Sequence, residues 1–251
     1  MTNYLAAHNL SYYARHACLL KKINCRFNSG QINMLTGNNG AGKTTALRLL
    51  AGFLKPCTGS ILINGNNLAQ FNLKQLARRR AVLPQHDSLN TILSVSEIVD
   101  LAALPFNDKS IRRPLKELTA EIIETLEIKH LRDRLYHTLS GGEKQRVRLA
   151  RVILQARLSH QETAWLILDE PLNSLDWGHR YKLLDYLRHL ATKGLGILAV
   201  LHDLNLVLQY ADQVCLLHNG RIFAHGRSYD VLSKDNIREV FNITTLRQGL
   251  F

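Results

Sequence analysis

GNNGAGKTT, Gly37 to Thr45, is the stretch from which the rest of the chain can be read. It fits the pattern G-x-x-x-x-G-K-[ST] and lies between a strand-like run, QINMLT (31–36), and a helix-like run, TALRLLAGF (45–53). A triphosphate concentrates several negative charges within a few ångströms. A loop of small residues lets consecutive backbone N–H groups turn inward, and the helix behind it adds the positive end of its dipole. On this reading Gly37, Asn38, Asn39, Gly40, Ala41 and Gly42 form the cradle, and a side chain at Gly40 or Gly42 would block the approach. Lys43 then reaches the β- and γ-phosphates, the Thr44 hydroxyl holds a magnesium ion that bridges them, and Thr45 serves the α- or β-phosphate.

Such a loop needs an acidic partner on a neighbouring strand, and WLILDEP (165–171) ends an apolar run in two carboxylates. Asp169 is the expected magnesium ligand. Strand side chains alternate, so Glu170 faces elsewhere and is free to act as general base toward a water in line with the γ-phosphorus. Taken alone, the pair could equally end a buried strand and cap the turn into Pro171. The phosphate loop upstream favours the chemical role.

The composition sets the class. A chain of 251 residues, 46% hydrophobic and 21% charged, is globular and long enough for a sizeable core, unlike a disordered, collagen-like or coiled-coil chain. No apolar run reaches the 18 residues of a membrane span; the longest relevant one, Leu195 to Leu201, suits a buried strand. The start, MTNYLAAHNLSYY, lacks the pattern of an export signal, so the expected compartment is the cytoplasm. Cys18, Cys25, Cys57 and Cys215 have neither zinc nor disulfide spacing. The net charge of +12 suits nucleic acid, phosphate ligands or an anionic surface, and does not choose among them.

Along the chain, Tyr4 to about Leu83 reads as short apolar strands broken by Gly and Asn turns. From about His86 to His160 the apolar residues recur at helical spacing, as in Ile122, Ile123 and Leu126, then Val147, Leu149, Val152 and Ile153. Strands 165–168 and 196–201 follow, separated by a helix over about 178–193, which implies a parallel crossover. QVCLLHNGRIFAHG predicts a hairpin turning at Asn219-Gly220, with a short helix after it at 228–232. The expected fold is α/β: a P-loop NTPase, RecA-like core (1–86 and 161–251) with an antiparallel β layer and an inserted α-helical subdomain (87–160).

LSGGEKQR (139–146) opens a basic amphipathic helix ahead of the carboxylate strand and resembles the signature of the ATP-binding cassette family. The resemblance implies that Ser140, Gly141 and Gly142 present a hydroxyl and bare amides to the γ-phosphate held by an opposite subunit. A capping box from Ser140 to Glu143 explains the Ser and Glu equally well, but not the two glycines. Further positions match in order over nearly the whole chain. Gln85 resembles the glutamine loop, whose amide coordinates magnesium or water. NSLD (173–176) resembles the dimer-contact loop, and His202 the switch histidine that bonds the γ-phosphate and Glu170. Where the family stacks adenine on an aromatic, spacing gives Ala14. Tyr13 is the substitute for that role, unless Tyr12 and Tyr13 simply pack in the β layer.

With one phosphate loop and one signature, the resemblance implies an ATPase working as a homodimer, with ATP and Mg2+, peripheral to the cytoplasmic face of a bacterial inner membrane. It implies two separate transmembrane permease subunits, an indirect periplasmic substrate-binding protein and no nucleic acid. LARRRAVLPQ, RDRLYHTLSGGEKQRVRLARVILQ and LGILAVLHDLNLVLQYAD look like the subunits that energise hemin import, with vitamin B12 and ferric-siderophore importers close; DEPLNSLD is especially similar to the B12 type. A nucleic-acid ATPase of the same superfamily is the rival that the charge would suit. Such proteins carry long coiled coils, zinc insertions or two cassettes per chain, and none of these is in this sequence.

Overall fold

The computed structural model describes residues 3–14, 17–85, 91–106, 111–159 and 164–243. In chain order the elements are β1 (Tyr4–Ala14), β2 (Ala17–Asn28), β3 (Ile32–Gly37), α1 (Lys43–Leu50), β4 (Thr58–Ile63), β5 (Asn66–Asn67), α2 (Leu73–Arg79), β6 (Arg80–Leu83), α3 (Val95–Asp100), α4 (Arg112–Thr125) and α5 (Gly141–Arg157). Then come β7 (Trp165–Asp169), α6 (Trp177–Thr192), β8 (Gly196–Val200), α7 (Leu204–Tyr210), β9 (Gln213–His218), β10 (Arg221–Arg227), α8 (Ser228–Val231) and α9 (Lys234–Phe241).

Two sheets result. One has six strands in the order β10-β9-β3-β8-β7-β6, parallel except for the β9–β10 hairpin. The other is antiparallel, in the order β2-β1-β4-β5. The central parallel strands are buried on both faces, which is why β3, β7 and β8 read as continuous apolar runs rather than alternating ones. Their residues still alternate between two cores. Ile32, Met34, Leu166, Leu168, Ile197 and Ala199 face the helical side, with α5, α6, α7 and α9. Leu35, Trp165, Ile167, Leu198 and Val200 face α1 and the antiparallel sheet. The phosphate-loop helix is therefore sandwiched between two sheets.

The first two strands are longer than the broken pattern predicts. β1 and β2 run 11 and 12 residues, and register shifts along β1 absorb the interruptions that a sequence reading takes for turns, with Asn9 and Lys22 at positive φ. Among the described residues of 91–159 the elements are helical, with one isolated bridge between Ser94 and Leu135. The hairpin turns at Asn219-Gly220 with φ of 48° and 72°, as a two-residue primed turn requires. Helix α9, with Ile237 and Val240 buried, lies beyond the last element that the sequence pattern predicts.

Candidate active site

The parallel strands β3, β7, β8 and β6 all end toward one edge of the sheet, and the residues that follow them gather there. After β3 the chain passes through 37–42 into α1. Gly42 caps that helix at φ 98°, in the left-handed region, and a methyl group there would lie 2.8 Å from Leu20 Cδ2 and 3.0 Å from the Leu19 carbonyl. The bare position is thus needed by β2 behind the loop, whereas a methyl group at Gly40 would meet nothing within 4 Å. Gly40 faces open space and owes its identity to φ 79°.

Lys43 is 7% exposed, and its Nζ donates to the carbonyls of Gly37 and Asn38, each at 2.9 Å. Burial lowers its pKa, while the nearby Glu170 and Asp169 carboxylates work to raise it. The ammonium is held across the loop mouth, close to both carboxylates.

Asp169, the last residue of β7, is 2% exposed. Burial first, and the Glu170 charge second, push its carboxyl up; the Thr44 hydroxyl, Arg48 and His202 pull it down. Its Oδ1 is buried with no hydrogen-bond partner, as is the Asn38 Oδ1. An orphan buried carboxylate oxygen beside a helix-terminal hydroxyl fits a hard cation. Among the described residues no group of three or more His, Cys, Asp or Glu side chains could hold a metal by itself. With one carboxylate among them, the donors Asp169, Thr44 and Gln85 suit magnesium, which takes one or two carboxylates and completes its shell with phosphate oxygens and water.

Strand alternation is not what separates the two carboxylates. Glu170 adopts φ 52°, a left-handed conformation that costs an ordinary L-residue about 1–2 kcal/mol. The chain turns sharply there, so its carboxylate is swung off the strand direction. His202 Nε2 lies 2.7 Å from Glu170 Oε1, and Asn173 Nδ2 donates to Oε2 at 2.5 Å. Burial acts to raise the Glu170 carboxyl, but the bonds from His202 and Asn173, with a further one from Gln85, outweigh it and hold the group below its ordinary value. Two side chains from two segments, His202 and Asn173, thus hold one carboxylate. His202 follows β8 and precedes Asp203, which accepts from the amides of Asn205 and Leu206 at the start of α7, so the histidine's backbone is fixed by a helix cap.

Asn173 is the residue that sequence reasoning assigns elsewhere, to a dimer contact. Its place three residues after Glu170, with its own N–H bonded to the Glu170 carbonyl at 3.3 Å, is the turn signal that points to it.

Ser140 caps α5 in a full capping box with Glu143. The glycines after it differ. A methyl group at Gly142 would lie 2.8 Å from the Ser174 carbonyl of the same chain, whereas one at Gly141 would meet Ser174 at an ordinary 3.7 Å. Within one chain, Gly141 and Gly142 lie against Ser174, whereas Lys43 bonds the carbonyls of Gly37 and Asn38. Tyr13, 49% exposed, pairs with Cys18 across β1–β2, and that thiol is the first cause of its raised pKa. His86, at the start of the predicted helical region, lies outside the described residues.

Residues 20–173, more than half of the chain, match the family model described as ABC transporter. The "Hemin import ATP-binding protein HmuV" of Bordetella parapertussis is 40% identical over 242 residues, covering 95% of this chain and 92% of that protein. The protein of the same name from Hahella chejuensis is 42% identical over 226 residues, covering 90% and 87%. A solved structure titled "Structure of ATP binding subunit of ABC transporter" superposes with a TM-score of 0.81 at 27% identity, over 95% of this chain and 93% of that one.

Proposed function

The chain belongs to the ABC transporter family, and on that premise we propose that it is the ATP-hydrolysing subunit that energises bacterial hemin import through separate membrane permease subunits. The observation that carries the catalytic part is the convergence of Asn173 and His202 on Glu170, beside a buried Lys43 and Asp169. The cargo rests on the names of relatives that cover nearly the whole chain.

Each residue then has one task. The amides of Gly37 to Gly42, with Thr45, hold the phosphates, Lys43 neutralises the β- and γ-oxygens, and Tyr13 stacks on adenine. Thr44, Asp169 and Gln85 would hold Mg2+, which when bound neutralises phosphate charge. Glu170, ionised, accepts a proton as water attacks the γ-phosphorus and the bond to ADP breaks. His202 fixes that carboxylate and bonds the γ-phosphate. Ser140, Gly141 and Gly142 complete the site of a second copy, so two chains close head to tail on two nucleotides. Hydrolysis removes the bridge and the dimer reopens. Residues 87–160 act as a helical subdomain on the core formed by 1–86 and 161–251. No helix among the described residues is long and apolar enough to cross a membrane. In this proposal the chain attaches peripherally to a permease at the cytoplasmic face of the inner membrane, with a periplasmic binding protein delivering the cargo.

Glu170→Gln tests the chemistry: ATP binding should persist, turnover should collapse and an ATP-bound dimer should accumulate. Hydrolysis at near the unmodified rate would remove Glu170 as the base. For the cargo, the subunit reconstituted with its membrane permease should hydrolyse ATP faster with a hemin-loaded binding protein. Stimulation by a corrinoid or ferric siderophore instead would reassign it.

A further inference from the structure

The parallel register of β6 and β7 ends at the pair Leu83 and Leu168. Beyond that pair the two segments carry Gln85 and Glu170, with the Gln85 amide among the groups that lower the Glu170 carboxyl. What spans the segments past the end of the register is a pair of side chains from α5. Arg148 Nη2 donates to the Pro84 carbonyl at 2.5 Å, Arg148 Nη1 donates to Gln145 Oε1 at 3.1 Å, and Gln145 Nε2 donates to the Pro171 carbonyl at 2.9 Å. Each anchored carbonyl belongs to the neighbour of a site residue, since Pro84 precedes Gln85 and Pro171 follows Glu170. Gln145 is 6% exposed, so an amide in that place is tolerated only because both its ends are bonded.

We propose that Gln145 and Arg148 form a bracket that sets the spacing between Gln85 and Glu170 and ties it to Ser140–Gly142 at the start of the same helix, which makes both of them positioning residues for hydrolysis. This rests on the role given to Glu170 above. A guanidinium suits the task because its planar fork donates in two fixed directions at once, whereas an ammonium is a point charge on a flexible stem. The three bonds go to the carbonyls of Pro84 and Pro171 and between the two side chains, so the bracket acts first on the placing of the reacting carboxylate.

The test is steady-state ATP hydrolysis by the purified full-length chain and its variants Gln145→Leu, Arg148→Ala, Arg148→Lys and the double Gln145→Leu/Arg148→Ala. A misplacement near 1 Å costs up to about 100-fold in rate, so kcat should fall about 10- to 100-fold in Gln145→Leu and Arg148→Ala. KM for ATP should stay within about twofold, the signature of an interaction felt only in the transition state. Arg148→Lys should recover part of the loss, and the double variant should be no slower than the worse single one, because the two side chains act as a unit. The proposal is overturned if kcat is retained in folded single variants, if KM rises in parallel with the loss, or if the two losses multiply in the double variant. Should Arg148→Ala fail to fold, Gln145→Leu and Arg148→Lys, which keep the buried volume, carry the same comparison. All of these are made with Glu170 intact, so they are read separately from the Glu170→Gln result.

Discussion

Gly141 and Gly142 stand side by side in the sequence, and the structure gives them different reasons to lack a side chain. A Cβ at Gly142 would sit 2.8 Å from the Ser174 carbonyl oxygen, against the roughly 3.3–3.6 Å of a comfortable C···O contact. Ser174 is itself at φ 65° in a turn tied by the Leu175 amide to the Leu172 carbonyl, so relief requires backbone movement. Overpacking of this kind costs about 1–3 kcal/mol. Both positions gain about 1 kcal/mol in helix propensity when Gly becomes Ala, and that gain cancels in the difference between the two variants. Gly142→Ala should therefore be less stable than Gly141→Ala by about 1–3 kcal/mol, a gap of about 2–12 °C in unfolding midpoint for a chain of this size. Thermal and urea unfolding of the two purified variants measure it. Equal midpoints, or a more stable Gly142→Ala, would refute the packing argument. In the Glu170→Gln background, the proposed role of Gly141 at the partner's phosphate predicts that Gly141→Ala abolishes the ATP-driven dimer although it folds well; a dimer that still forms would remove that role.

Removing the Asn173 donor in Asn173→Ala should lower kcat by about tenfold, as expected for a hydrogen bond to a charged group, with ATP affinity kept; unchanged turnover would leave Glu170 held by His202 and Gln85 alone. Aromatic-disulfide titration should count two fast thiols, Cys18 and Cys57, while Cys25, pushed up to about 12 by burial, and Cys215, also raised by burial, react only in denaturant. MgATP should slow the Cys18 reaction if Tyr13 stacks the base, and equal rates with and without nucleotide would take Tyr13 out of the site. The Glu143 carboxyl is held below its ordinary 4.5, chiefly by the Ser140 amide and then the Ser140 hydroxyl, with burial opposing. A depressed carboxyl stabilises fully above its unfolded value and loses that contribution as pH falls through the folded one. Glu143→Gln keeps the acceptor without the charge, so the drop in unfolding midpoint from pH 7 to pH 4 should shrink; an undiminished drop would contradict the capping-box origin.

Much of the site was legible because each of its parts sits at the end of an apolar run. QINMLT, WLILD and GILAV read as buried strands, and the polar residues that follow them, Gly37 to Thr45, Glu170 and His202, fall at one sheet edge once those strands lie parallel. Gln85 was legible only through family resemblance, since β6 is four residues long and its continuation has no periodicity of its own. Asn173, Gln145 and Arg148 were not legible as site residues. Their partners, a carboxylate turned by a positive φ and two proline carbonyls, are set by backbone conformation 3 to 64 residues away, and residue types do not encode it.

The chain alone determined which chemistry is present: a cradle of small residues before a lysine, two carboxylates, a histidine, and the apolar runs that deliver them. Local composition suffices there because strand burial and helix dipoles act over a few residues. Only the tertiary structure decided how those groups are held. Glu170 leaves the strand by a left-handed turn, Gly142 is bare for its own chain's Ser174 while Gly141 is not, and α5 reaches over the end of the sheet to bracket Pro84 and Pro171. Close approach between segments distant in sequence depends on where whole helices pack, and that is a property of the assembled core.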